Sequence, residues 1–171
     1  MQALIHTSEQ NGYTPKILQA VEAVNNKQKY KLPTLVKRHF GEDLSGKTFA
    51  VWGLSFKPNT DDMREASSRV LIEELWAAGA TVHAFDPQAM EETQRIYGVR
   101  PDFVLCGTKE AALPGADALI ICTEWQQFKA PDFDFLKQQL ATPVIFDGRN
   151  LFDPERLKQK GFSYYAIGRA Q

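Results

Sequence analysis

The chain has 171 residues, 43% hydrophobic and 24% charged, with 20 basic residues against 21 acidic ones and a formal net charge of −1. Average composition at this length excludes a disordered chain and one that needs disulfide or metal staples. The charge balance offers no footprint for nucleic acid or an acidic membrane surface. No apolar run reaches the roughly 18 residues of a membrane span, and the first residues form no signal peptide, so a soluble cytoplasmic protein is expected.

Gln2 to Gln10 consists of good helix formers, and Asn11-Gly12 is a stop signal. Thr14-Pro15 restarts a helix, with the threonine as N-cap and the proline at the first helical position. Ile17, Leu18, Val21, Val24, Leu32, Leu35, Val36 and Phe40 then recur at helical spacing until Gly41, predicting one helix about 40 Å long. Its middle, Asn25 to Lys31, is polar all round, as in a helix that bridges two bodies; a bent helix on one core is the alternative.

From residue 44 the pattern changes. Short apolar strands are expected at Lys47 to Leu54, Thr81 to Phe85, Phe103 to Cys106, Ala118 to Cys122, Val144 to Phe146 and Ser163 to Ile167. Helices are expected between them at Ser67 to Ala78, Met90 to Tyr97, Lys109 to Leu113, Phe133 to Leu140 and Pro154 to Lys160. Alternating units with continuously apolar strands predict a sheet covered on both faces. The fold expected is a Rossmann-like, doubly wound α/β domain over residues 44–171, its six-stranded sheet mainly parallel. The helical segment 1–43 precedes it.

Cys106 and Cys122 lie in apolar strand contexts without a CxxC pair and read as buried reduced thiols. His6, His39 and His83 lack ligand spacing, so no metal site is expected. Trp52 and Trp76 read as core.

In an open parallel sheet, ligands bind beyond the carboxyl ends of the strands, where the winding reverses. Strand one leads into Ser55 to Glu65, strand four into Thr123-Glu124-Trp125, and strand five into Asp147-Gly148-Arg149-Asn150. Lys57, Arg64 and Arg149 therefore converge on one edge, near the helix starting at Ser67, whose free amides favour an anion. Phe56 and Trp125 are candidates to face a ring. Such a site suits a nucleotide. The alternatives are that Lys57 and Arg64 are solvated charges paired with Asp61, Asp62 or Glu65, and that Arg149 pairs with Asp147 or Asp153. The Gln126-Gln127 pair leaves Trp125 between partial exposure and burial.

A dinucleotide turn needs glycines at G-x-G-x-x-G, and Gly53 to Pro58 supplies only the first. Asp86 stands where a ribose-binding acid would, or else caps the next helix. The sequence presents no catalytic constellation: no Gly-x-Ser-x-Gly, no cysteine beside a histidine, no paired carboxylates in an apolar pocket.

Gly53-Leu54-Ser55-Phe56-Lys57-Pro58-Asn59-Thr60-Asp61-Asp62-Met63-Arg64-Glu65 closely resembles a signature of the UDP-glucose/GDP-mannose dehydrogenase family, at the start of its C-terminal nucleotide-sugar domain. Phe85-Asp86-Pro87, Thr123-Glu124-Trp125 with Phe128, and Asp147-Gly148-Arg149-Asn150 are similar to it as well. Tyr164 to Arg169 looks most like the bacterial UDP-glucose 6-dehydrogenases, and Gln19 to Asn25 like the long central helix that joins the two domains and forms the dimer interface. The resemblance implies oxidation of a nucleotide sugar's C6 alcohol to a carboxylate with two NAD, through a cysteine thioester. It implies that Phe56, Lys57 and Arg149 contact the UDP-sugar and that Arg64 reaches NAD held mainly by an N-terminal domain. It also implies a homodimer, for which exposed Ile17, Leu18, Val21 and Val24 are suited. The family's cysteine lies in a Gly-Gly-x-Cys-x-Pro-Lys-Asp segment, which this sequence does not contain, and neither Cys106 nor Cys122 matches it. The expectation is a C-terminal fragment, inactive alone as a dehydrogenase.

Overall fold

The computed structural model describes residues 2–169. Six strands, β1 (Thr48–Trp52), β2 (Thr81–Phe85), β3 (Phe103–Leu105), β4 (Ala118–Ile121), β5 (Val144–Asp147) and β6 (Ser163–Ala166), form one sheet in the order β3-β2-β1-β4-β5-β6. All five strand pairings are parallel. The winding reverses between β1 and β4, which places the switch point where the doubly wound reading put it.

Helices α1 (Gln2–Gln10), α2 (Lys16–Lys29) and α3 (Lys31–Phe40) precede the sheet. Then α4 (Ser67–Ala77), α5 (Met90–Tyr97), α6 (Phe133–Gln139) and α7 (Pro154–Gln159) alternate with the strands. Because β1 is covered on both sides, consecutive residues enter different cores. Phe49 and Val51 pack with Leu71, Leu75, Val82 and α3's Leu32 and Val36. Ala50 and Trp52 pack with Phe128, Phe133, Leu136 and Ile145. In α4 the buried face is Ser68, Leu71, Ile72 and Leu75, the i, i+3, i+4, i+7 stripe of an amphipathic helix.

The predicted 40 Å helix is instead two helices broken at Tyr30. Pro33 has no N–H to give the Lys29 carbonyl and its ring crowds that oxygen, so the ladder restarts with Thr34 N donating to Tyr30 O at 3.1 Å. The first half, α2, buries no residue, whereas α3 lies on the sheet core through Leu32, Pro33 and Val36. Thr14 is not the N-cap either. Pro15 occupies that position without a side-chain cap, and the first helical bond runs from Gln19 N to Pro15 O. The connection expected as a helix at Lys109 to Leu113 is a 3-10 turn at Glu110–Ala112, and a second one at Gln126–Phe128 was not anticipated. Trp76 is only partly buried, with the Arg100 guanidinium 3.9 Å from its ring centroid.

Candidate nucleotide-sugar site

Beyond the carboxyl ends of β1, β4 and β5 lies a cleft of about 830 Å³. Phe56, Cys122, Gly148 and Arg149 line it from the sheet side, Ser67 from the start of α4, and Glu22, Asn25, Asn26 and Lys29 from α2. Gly148 is required by packing: a Cβ there would lie 2.7 Å from Leu32 Cδ1 and 2.8 Å from the Ile121 carbonyl. No side chain caps α4 at Ala66, and Ser67 at its start lines the cleft, so the positive end of the helix dipole lies at the cleft's edge.

Arg149 is a fixed cation on the sheet side of this cleft. Its Nε donates to the Cys122 carbonyl at 2.8 Å and its Nη2 to the Phe56 carbonyl at 3.1 Å, so one guanidinium bridges the exits of β4 and β1. Glu124 Oε2 stands 3.1 Å from the same Nε but lacks hydrogen-bond alignment, so the Cys122 carbonyl is the acceptor and Glu124 acts on the guanidinium as a charge. The side-chain pairing with Asp147 or Asp153 does not form. Asp147 accepts the Arg149 backbone N–H at 2.8 Å, together with the Leu151 and Phe152 amides and the Tyr164 hydroxyl. That bonding fixes the turn that carries Arg149, and burial beside Asp147 pushes the Tyr164 phenol up.

The other sequence candidates separate. Phe56 opens onto the cleft at 38% exposure, and Lys57 is exposed with its Nζ 5.2 Å from the Phe56 ring centroid. Arg64 points to solvent at 87% side-chain exposure and forms a fork with both oxygens of Asp62, the loop-charge alternative. Those bonds hold the Asp62 carboxyl down at about 2. Trp125 presents no face to a ring: it is buried, and its indole N–H donates to Asp86 Oδ2 at 3.0 Å. Cys122 and Cys106 are buried reduced thiols, and burial pushes Cys122 up to about 12.

The α2 contribution escaped the sequence reading, although its signal is present. Glu22, Asn25, Asn26 and Lys29 follow the i, i+3, i+4, i+7 rule and share one helical face. Lys29 closes that end of the cleft through an ion pair to Glu65.

The sheet end does not fit a dinucleotide of its own. The amides of Leu54 and Ser55, just beyond Gly53, are taken by Asp86 Oδ2, so neither they nor this acid is free for a pyrophosphate or a ribose. Asp86 Oδ1 caps the turn before α5, receiving the Gln88 and Ala89 amides, while Ala89 is the N-cap itself.

A family model described as "UDP-glucose/GDP-mannose dehydrogenase family, UDP binding domain" matches residues 50–154. The chain belongs to this family. The UDP-glucose 6-dehydrogenase of Pseudomonas aeruginosa is 45% identical over 99% of the chain, and that of Rhizobium meliloti 37% identical over 98%; the chain spans 38% of each. Among solved structures, a UDP-glucose dehydrogenase from Pyrobaculum islandicum superposes with a TM-score of 0.80 at 30% identity, over 98% of this chain and 36% of its own. The match region contains Phe56, Lys57, Arg64, Asp86 and Arg149, the strand-end residues of the cleft and its loop.

Proposed function

We propose that this chain is the substrate-binding part of a UDP-glucose 6-dehydrogenase, converting UDP-glucose and two NAD to UDP-glucuronate in its whole form. The observation that carries the reading is the Arg149 guanidinium, immobilised by two carbonyls at the mouth of a cleft, in a region matched by a UDP-binding family model. In this reading Arg149 and the α4 amides take the diphosphate, Phe56 lies against the ligand, and Lys57 turns from the Phe56 ring to a ligand oxygen. Arg64, held outward by Asp62, reaches NAD bound on an N-terminal domain of the same protein, which supplies the hydride acceptor. The thioester step is not assigned to either cysteine of this chain, because both thiols are buried and raised and neither offers a thiolate.

Calorimetric titration with UDP, UDP-glucose and GDP tests this reading. UDP and UDP-glucose binding with weak GDP binding is expected; preference for GDP would favour a GDP-mannose enzyme, and no binding of either would leave a dimerisation module. NADH production from UDP-glucose by the chain alone is expected to stay at buffer level. Of the apolar residues expected to seek a partner on α2, Ile17, Val21 and Val24 are 80%, 38% and 66% exposed while Leu18 is half-buried, and the exposed three are suited to a second copy of the chain. Sedimentation at micromolar concentration is expected to give a dimer, and a monomer would remove that role.

A further inference from the structure

Asp86 is the most heavily bonded side chain at the switch point, and the ligand contacts proposed above do not use it. It is 1% exposed. Oδ2 accepts from Leu54 N at 2.7 Å, Ser55 N at 3.1 Å, Ser55 Oγ at 3.1 Å and Trp125 Nε1 at 3.0 Å. Oδ1 accepts from Gln88 N and Ala89 N, each at 2.9 Å. All six partners are donors and none is a cation. The carboxylate leaves β2, passes the end of β1 and reaches the segment after β4, so it joins three neighbouring strand exits. The carbonyls of Leu54 and Ser55 are bonded as well, by the Ser68 and Thr123 hydroxyls. Both peptide units ahead of Phe56 are thus held at every polar atom.

The geometry points to Asp86 as a positioning residue for the ligand loop. It acts through Ser55 on Phe56 and Lys57, and this inference rests on the proposed UDP-sugar reading of the cleft. A dinucleotide fold presents an acid at this place to a ribose and leaves the amides after its first strand to a pyrophosphate. Here the acid is turned inward onto those amides. One side chain removes the dinucleotide site and sets the backbone from which two ligand-facing side chains depart. A charged acceptor shared by four donors is a stronger fastening than neutral bonds, so the loop needs no glycine turn to be rigid.

The test is a double-mutant cycle on UDP affinity with Asp86→Asn and Lys57→Ala. The amide of Asp86→Asn sets N–H groups against backbone N–H groups either at the loop or at the turn before α5, and in both orientations the loop loses its charged acceptor. If Asp86 acts through the loop, it weakens UDP by about tenfold alone and by less than about threefold when Lys57 is already absent. Ser55→Ala removes one donor from the same carboxylate and carries the cycle if Asp86→Asn does not fold, with a smaller loss of the same non-additive kind. A second readout is the Trp125 indole N–H resonance, assigned by its disappearance in Trp125→Phe. It is expected to shift on UDP addition in the unaltered chain and to lose that response in Ser55→Ala. Equal losses in both Lys57 backgrounds, or an indole resonance indifferent to bound UDP, would overturn the positioning role and leave the UDP site standing. An unaltered chain that binds no UDP would remove the site reading itself, and the positioning role with it.

Discussion

Arg149→Ala removes two things at once, and the structure separates their sizes. The guanidinium donates to the Cys122 and Phe56 carbonyls and is 34% exposed. Charge-assisted bonds are worth about 1.5–3 kcal/mol each when buried, but water reaches this side chain and can replace part of both. The loss in folding stability is therefore about 1–3 kcal/mol. At about 2.1 cal/mol/K per residue, a chain of 171 residues changes Tm by about 3 °C for each kcal/mol, so Tm is expected to fall by about 3–8 °C. UDP affinity is expected to fall by about ten- to a hundredfold on top, the cost of one charged contact. Arg149→Lys separates the two effects. An ammonium keeps the charge for a phosphate but cannot bridge both carbonyls, so it should recover part of the affinity and little of the Tm. Calorimetry for binding and scanning calorimetry for Tm give both numbers on the same samples. An unchanged Tm would show that the carbonyl bridge contributes nothing, and unchanged UDP affinity would remove Arg149 from the site.

Gly53→Ala is expected to cost about 2–4 kcal/mol, because φ is +90° and the new Cβ would lie 2.5 Å from Thr123 Cβ and 2.7 Å from Thr123 N. Gly98→Ala, at φ +65° with no atom within 4 Å, carries the strain alone and should cost about 1 kcal/mol; equal urea midpoints for the two would refute the packing argument. The Asp62 carboxyl, lowered chiefly by its side-chain bonds to Arg64, has a folded pKa of about 2, below its ordinary 3.8. Its contribution is therefore complete above about pH 4 and is lost as pH falls through about 2. A carboxyl-carbon NMR titration should place the midpoint near 2, and a midpoint near 3.8 would show that the Arg64 fork is not formed. Cys122, 1% exposed and pushed up to about 12 by burial, should resist a disulfide reagent at pH 8 until the chain unfolds. Prompt labelling of the native chain at this position would show that the floor of the cleft opens.

The central strands β1, β4 and β5 were legible because each is a short, almost wholly apolar run, and the outer strands because glycine or aspartate flanks them. Only their ends moved, as at β1, which closes at Trp52 before Gly53 turns to positive φ. The helix break was not read, since apolar spacing continues across it from Val24 to Leu32 while Pro33 alone marks the interruption. At the site, the strand-end rule located Phe56 and Arg149 because it concerns where the chain leaves the sheet, which the order of elements determines. It could not tell which way a side chain turns after leaving. Arg64 and Asp62 are two residues apart and satisfy each other locally, whereas Asp86 and Trp125 meet across 39 residues through a sheet order that pairs β1 with both β2 and β4. The same sequence position, an acid after the second strand, serves a bound ribose in one loop environment and the protein's own amides in another. The difference lies in the Gly53 to Ala66 connection, long enough to fold its Leu54 and Ser55 amides back onto the acid. A missing glycine pattern in such a loop therefore carries positive information: it says that the acid beside it has an internal partner.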